Sequence, residues 1–295
     1  MSLKVDVRAN RGKFELEAEF ELGNGEVLAI LGPNGAGKST LLNALAGLAS
    51  VSQGSIRLGS RVLTDVASGV AIPTAKRRIG LLGQEPLLFP HLSVAKNIEF
   101  ALRSSNKSKT DALRLTSEWL DRVHLTEFSK RKPAQLSGGQ QQKVAIARAL
   151  ATEPEVLLLD EPMARLDVDT ASILRELLRE QLRESGTSAI LVTHDVNDAL
   201  ELAHRIAIIE EGKITAIGEA SALFLQSSAG FASSIFGPNL VEGEIDDDGN
   251  VRFVEGATFA PSFGRNSSLR PGQKVLIGFE PRIVTVDPES APSRK

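Results

Sequence analysis

The stretch Gly32-Pro33-Asn34-Gly35-Ala36-Gly37-Lys38-Ser39-Thr40 constrains this chain more than any other. It satisfies G-x-x-x-x-G-K-[ST] between the apolar run Val27-Leu28-Ala29-Ile30-Leu31 and the helix-like Leu41-Leu42-Asn43-Ala44-Leu45. Strand, glycine loop and helix in that order form a phosphate cradle. The glycines turn backbone N–H groups toward the phosphates, and the opening helix adds its positive dipole end. Lys38 then reaches the β and γ phosphates, and the Ser39 hydroxyl, with Thr40 beside it, faces a magnesium ion. ATP with Mg2+ is the ligand that fits, and Asn34, Gly35 and Gly37 complete the loop around it.

A second element, Val156-Leu157-Leu158-Leu159-Asp160-Glu161-Pro162, is too short for a typical helix. It suits a central parallel strand covered on both faces. Ligands of open α/β sheets gather at the carboxyl ends of strands, so Asp160 is placed to hold magnesium and Glu161 to polarise an attacking water. Alone, an acidic pair after a strand is more often a solvated turn. The phosphate loop reverses that weighting.

Between the two lies Leu136-Ser137-Gly138-Gly139-Gln140, opening a helix that runs on through Val144, Ala145, Ala147, Arg148 and Leu150. It is a second anion site at a helix N-terminus. With these elements the chain resembles the ABC (ATP-binding cassette) ATPases, whose LSGGQ signature touches the γ-phosphate of ATP held by the opposite subunit. The resemblance implies a head-to-tail homodimer of cassettes, with Ser137, Gly139 and Gln140 closing on the partner's nucleotide. It carries further roles to individual residues. Gln84, after Ile79-Gly80-Leu81-Leu82, matches the glutamine that senses magnesium and water. His194, after Ala189-Ile190-Leu191-Val192-Thr193, matches the switch histidine on the γ-phosphate. Asp167 matches the aspartate that joins the two composite sites, and Arg165 stands where a small residue is usual.

Most members of this family stack an aromatic ring on adenine near the N-terminus, whereas this chain has no tyrosine and offers Asn10-Arg11-Gly12-Lys13-Phe14. Arg11, through its guanidinium plane, is the first choice for that contact. Phe14 is the second, because its alternation with Leu16 suits a strand core.

Composition sets the outer limits. The 295 residues, 42% of them hydrophobic, can bury a substantial core with a small appendage. A net charge of −3 with dispersed lysine and arginine gives no footprint for nucleic acid and no polybasic membrane anchor. No signal peptide and no run of about 18 apolar residues is seen, which reads as a cytosolic chain. Without cysteine, and with four scattered histidines, there is no zinc spacing, so magnesium is the one metal implied.

The fold expected is α/β: a P-loop ABC cassette with a mixed, doubly wound sheet flanked by helices, followed by a small all-β domain. Residues 1–225 form the cassette, with a helical subdomain over about 84–152. The pattern from Thr110 to Val123, with Leu113, Leu115, Trp119 and Leu120, predicts one of its helices. Another is expected over Asp169 to Glu184, turning Ile173, Leu174, Leu177, Leu178 and Leu182 inward and stopping at Gly186. Residues 226–238 read as a linker, 239–288 as the β domain and 289–295 as a disordered tail. Within the β domain, Asp246-Asp247-Asp248-Gly249-Asn250 reads as a solvated hairpin turn rather than a calcium loop. Gly278-Phe279-Glu280-Pro281-Arg282-Ile283-Val284 resembles the end of the OB-like (TOBE-type) domain that follows importer cassettes.

The stretch from Gln84 to Ser137 is too short for the coiled-coil insertion of chromosome-maintenance ATPases, which favours transport. The segment Glu85 to Ile98, with Leu87, Leu88, Phe89 and His91, resembles the importer surface that receives a permease's coupling helix; its ordinary reading is a proline-bounded loop packed on its own domain. Arg61-Val62-Leu63-Thr64-Asp65, Ile72 to Gly80 and Leu88-Phe89-Pro90-His91 are most similar to molybdate importer ATPases. The resemblance implies membrane permease partners, an extracytoplasmic substrate-binding protein reached through them, and a place on the inner face of the membrane. Importers of iron(III), sulfate or polyamine share these motifs in part. A soluble ABC ATPase that remodels a protein or ribonucleoprotein is the competing class, and a regulatory ATPase with an effector-binding tail is a third.

Overall fold

A computed structural model of the chain describes residues 2–12, 14–164, 166–219, 223, 240–248, 250–253, 258–259 and 270–278. The chain divides into two compact units, residues 1–220 and 221–295.

The first unit begins with β1 (Leu3–Arg11), β2 (Phe14–Leu22), β3 (Val27–Leu31) and α1 (Lys38–Ala46). The strands β4 (Gln53–Leu58), β5 (Arg61–Asp65), β6 (Val70–Ala71) and β7 (Ile79–Leu82) follow. Three helices come next, α2 (Val94–Ser104), α3 (Lys109–Arg122) and α4 (Gly138–Leu150). The unit closes with β8 (Val156–Asp160), α5 (Val168–Ser185), β9 (Ser188–Val192), α6 (Val196–Leu202), β10 (Arg205–Glu210) and β11 (Lys213–Glu219). Among the described residues, one sheet of eleven strands runs β6-β5-β4-β1-β2-β11-β10-β3-β9-β8-β7.

The doubly wound expectation holds for part of this sheet. Strands β10, β3, β9, β8 and β7 are parallel to one another. The pairs β1–β2, β1–β4, β4–β5 and β10–β11 are antiparallel. The difference has a local cause for β1–β2, β4–β5 and β10–β11, since short turns rather than crossover helices join them and only antiparallel neighbours can be joined so, whereas β1 and β4 pair across the intervening β2, β3 and α1.

The parallel strands are apolar throughout because both faces are covered. Val156 and Leu158 of β8, with Leu28 and Ile30 of β3 and Ile190 and Val192 of β9, pack with Leu41, Leu42 and Leu45 of α1. The alternate residues Leu157, Leu159, Val27, Ala189 and Leu191 face Val144, Ala147, Leu174 and Leu178 of α4 and α5. Period-two alternation in strands thus feeds two cores, each full burial of a leucine contributing about 2 kcal/mol. Ile98, Leu102, Trp119 and Leu120 of α2 and α3 join the second core, which makes the helical subdomain continuous with the sheet.

Helix α5 runs close to its expected bounds and ends at Gly186 with a left-handed φ of 62°. The expectation that Ile173 turns inward is overturned, for it is 57% exposed. The inward face is Ala171, Leu174, Arg175, Leu177, Leu178, Gln181 and Leu182, and Ile173 points about 130° from its centre.

The second unit holds β12 (Leu240–Ile245), β13 (Val251–Phe253), β14 (Thr258–Phe259) and β15 (Lys274–Gly278), an antiparallel sheet in the order β14-β13-β12-β15. The acidic turn does close a hairpin. The Asp246 carboxylate accepts from the N–H of Asp248 at 3.1 Å and of Asn250 at 2.8 Å. The linker at 226–238, the run Phe279 to Val284 and the tail 289–295 lie outside the described residues.

Candidate functional site

The glycine loop joins β3 to α1 and needs its glycines for stated reasons. Gly35 has φ 84° and Gly37 φ 106°, both left-handed. Gly37 caps α1, and a Cβ there would stand 2.8 Å from Cζ of Phe14. At Gly32 a Cβ would run into the carbonyl of Ile209.

Lys38 opens α1 and is buried, its Nζ donating to the carbonyls of Gly32 at 2.7 Å and Pro33 at 3.0 Å. Burial lowers its pKa, and Glu161 and Asp160 push it back up. The loop is thus cross-tied by the cation that would meet a phosphate. At the carboxyl end of β8, burial raises the Asp160 carboxyl above its usual range; the Ser39 hydroxyl, bonded to it, and Lys38 act the other way, while Glu161 adds to the rise.

Among the described residues, the buried Oδ1 of Asp160 has no hydrogen-bond partner. An orphaned carboxylate oxygen beside a serine hydroxyl, with an amide side chain on the same wall, is a hard oxygen donor set that fits magnesium. Among the described residues no cluster of three or more His, Cys, Asp or Glu offers another metal site.

Glu161 has φ 48°, a left-handed conformation that costs a side-chain-bearing residue on the order of 1 kcal/mol. Its N–H donates to the Val192 carbonyl at 2.8 Å, which pins the turn to the end of β9. Its carboxylate lies 3.4 Å from Nδ1 of His194, with the two side chains 13% and 61% exposed.

Phe14, Asn34, Gly35, Gly37, Lys38, Ser39, Thr40, Gln84 and Glu161 line one cleft of about 380 Å³. The structure therefore brings together nearly all of the residues that sequence assigned to phosphate and water, with Asp160 joined through Ser39 and His194 through Glu161. Phe14 is half-buried and serves both the core and the cleft wall. The Arg11 side chain and all of Arg165 lie outside the described residues.

Ser137, Gly139, Gln140 and Asp167 do not line this cleft. Ser137 caps α4, its Oγ accepting from the Gln140 N–H at 3.3 Å while Gln140 Oε1 accepts from the Ser137 N–H at 3.0 Å. That reciprocal cap leaves the N–H groups of Gly138 and Gly139 without intrahelical partners, available to an anion. Asp167 caps α5, accepting from the N–H and the hydroxyl of Thr170, each at 2.9 Å. The backbone hydrogen bond from Thr170 holds its carboxyl below the usual range. The two helix ends abut, since a Cβ on Gly139 would overlap Cγ2 of Thr170.

A larger cleft of about 490 Å³, lined by Glu118, Trp119, Arg122, Glu153, Gln181 and Glu184 among others, sits elsewhere. Pro154 and Thr187 on its wall precede β8 and β9, so it lies at the amino ends of those strands. Ligand chemistry in open α/β sheets belongs at the other end, and three glutamates suit no phosphate.

Sequence reasoning did not single out Thr170, Arg175 or Asp198. Asp198, four residues after His194 in a helix with an N-cap signal, and Arg175, inside an apolar stripe, carried the available signal.

Residues 17–164 match the family model described as ABC transporter. The chain is 46% identical to the molybdenum import ATP-binding protein ModC of Mycobacterium tuberculosis (strain H37Rv), over 97% of this chain and 78% of that protein. It is 41% identical to the sulfate/thiosulfate import ATP-binding protein CysA 1 of Agrobacterium fabrum, over 80% of this chain and 68% of that one. Among solved structures it is similar to the dimeric post-hydrolysis state of the ATP-binding cassette MJ0796 bound to ADP and Pi. The TM-score is 0.63, with 31% identity, 75% of this chain and 99% of that chain.

Proposed function

The chain belongs to the ABC transporter family, as an ATP-binding cassette that hydrolyses ATP, and from that premise we propose that it is the ATPase subunit of a molybdate importer. The observation that carries the reading is the 46% identity to ModC over 97% of the chain. CysA 1 at 41% supports the importer class more than the ion, and sulfate is the alternative substrate.

The site residues act as follows in this reading. Lys38 and the N–H groups of the glycine loop hold the β and γ phosphates. Ser39 and Asp160, with Gln84, would hold Mg2+, which when bound supplies charge neutralisation at the transferred phosphoryl. Glu161 accepts a proton from the attacking water and His194 donates to the γ-phosphate, their side chains already within 3.4 Å. Ser137, Gly139 and Gln140 act on the nucleotide of a second copy, with Asp167 at the seam, because within one chain they lie apart from the cleft. MJ0796 forms a dimer as a cassette, which supports this arrangement.

A permease partner has a surface to meet. Arg148 donates to the carbonyls of Pro86 and Leu87, each at 2.9 Å, and lies over the Phe89 ring. The segment is therefore packed on its own domain, yet Leu87 is 72% and Phe100 51% exposed. An apolar patch held on rigid backbone suits a helix docked from a membrane partner. Among the described residues no helix is long and apolar enough to cross a membrane, so in this reading a separate permease, fed by an extracytoplasmic binding protein, supplies the pore and the cassette works on its inner face. We assign residues 226–238 as a linker and 239–288 as a TOBE-type domain.

The test is uptake of labelled molybdate in cells carrying Glu161→Gln in place of the native chain, together with mass spectrometry of what purifies with it in ATP and magnesium. Loss of uptake with recovery of a polytopic permease is expected. Normal molybdate uptake with loss of sulfate uptake would move the assignment to sulfate. Recovery of ribosomes or soluble proteins alone would overturn the importer reading.

A further inference from the structure

The His194 side chain is exposed and, among the described residues, its imidazole meets the Glu161 carboxylate at 3.4 Å, so its position depends on the backbone that carries it. That backbone is fixed by buried groups. The Thr193 hydroxyl accepts from the N–H of Asp195 at 3.0 Å and donates to Oδ2 of Asp198 at 2.9 Å, bracketing His194 from both sides. Oδ1 of Asp198 accepts from Nε of Arg175 at 2.8 Å. Arg175 Nη1 continues to Glu201 at 3.0 Å, which Arg179 also holds. Thr193, Asp198 and Arg175 are all buried.

A buried ion pair is a poor stabiliser, since its desolvation often cancels the attraction and apolar residues of similar volume do as well. Burial indeed raises the Asp198 carboxyl despite the bonds from Arg175 and Thr193. An arginine inside the apolar stripe of α5 is therefore better explained by geometry than by stability. The same helix begins at Asp167, and its first turn presses Thr170 against Gly139 of the signature segment. Arg175 follows about 8 Å further along the axis.

We propose that Arg175 is a positioning residue for hydrolysis: through Asp198 and Thr193 it sets the turn bearing His194, and so makes α5 the rigid connection from the signature segment of a chain to the histidine of its own nucleotide site. The proposal rests on the role given to His194 above. A nucleotide held by the partner and pressing on Ser137 and Gly139 is thereby sensed where this chain's own ATP reacts.

The test is a double-mutant cycle with His194→Ala, measuring kcat and KM for ATP under single-turnover and steady-state conditions. Thr193→Val keeps the volume and removes the hydroxyl, and Thr193→Ser restores it. Because Arg175→Met alone would strand a buried carboxylate, it is paired with Asp198→Asn. Thr193→Val and the Arg175→Met/Asp198→Asn pair are each expected to lower kcat about tenfold to a hundredfold, with KM changed less than about twofold, and to have no further effect in the His194→Ala background. Thr193→Ser should recover most of the rate. A fall of equal size with and without His194 would show a purely structural role and overturn the proposal. An unchanged kcat in both variants would do so too. A His194→Ala chain that hydrolyses at the full rate would remove the role of His194 and the proposal with it, which separates the two failures.

Discussion

The two anion-facing regions of this chain are built in opposite ways. Around the glycine loop, Lys38 is buried and Asp160 half-buried, Asp160 Oδ1 is buried with no hydrogen-bond partner among the described residues, and Glu161 is held in a strained conformation. At the signature segment, Ser137 and Gln140 satisfy each other, Asp167 is satisfied by Thr170, and the patch is largely exposed. The first region is tense because it is arranged for charges that are not its own. The second is relaxed because it completes a helix end and still leaves two N–H donors to offer. In the proposed reading, the relaxed half of one chain completes the tense half of another.

Substitutions can break that contrast, beginning with the tense half. Lys38→Ala and Glu161→Gln each should lower hydrolysis by about 10³-fold or more, Lys38→Ala losing ATP binding as well and Glu161→Gln keeping it; equal loss of binding in both would erase the division of labour. In the relaxed half, Ser137→Arg should lower hydrolysis about 10²-fold while a single chain still binds ATP with unchanged affinity, as read by equilibrium titration. A stability test follows. Gly139→Ala should cost about 1–3 kcal/mol in urea melts through overlap with Thr170, and Thr170→Ser, which removes that methyl and keeps the hydroxyl, should recover most of it.

Asp160→Asn should abolish hydrolysis yet raise Tm in nucleotide-free buffer by about 2–4 °C, equivalent to about 1 kcal/mol. The sign follows from the raised carboxyl: the folded chain binds that proton more tightly than the unfolded chain, so its ionisation destabilises the fold as pH rises through the raised pKa. The advantage of Asn should accordingly vanish below the ordinary aspartate range. The smallest effect concerns adenine. Phe14→Ala should weaken ATP binding about fivefold, because Phe14 lines the cleft; a larger loss in Arg11→Ala than in Phe14→Ala, read by titration, would give the stacking role to Arg11.

How much of this was legible in the sequence follows from where the information sits. The glycine loop, β8 with its acidic end and the signature are local patterns, so strand, loop and helix were readable at Val27 to Leu45 and the cleft residues could be named. Long-range pairing was not. The antiparallel strands joined onto the parallel core form one sheet because β11 pairs with both β10 and β2, contacts with no local marker. Ile173 was read inward because hydrophobicity was taken as burial, whereas Arg175 holds the inward place through Asp198, a partner 23 residues on. Phe14 packs against the core, as its alternation with Leu16 suggests, and it also lines the cleft, which alternation alone does not show.

The claim at the centre is that the relaxed half of one chain completes the tense half of another, and sedimentation velocity tests it directly. The Glu161→Gln chain should sediment as a monomer alone and as a dimer with ATP and magnesium, and adding Ser137→Arg should return it to a monomer that still binds one ATP per chain. A Glu161→Gln/Ser137→Arg chain that dimerises with ATP as readily as Glu161→Gln would contradict the account.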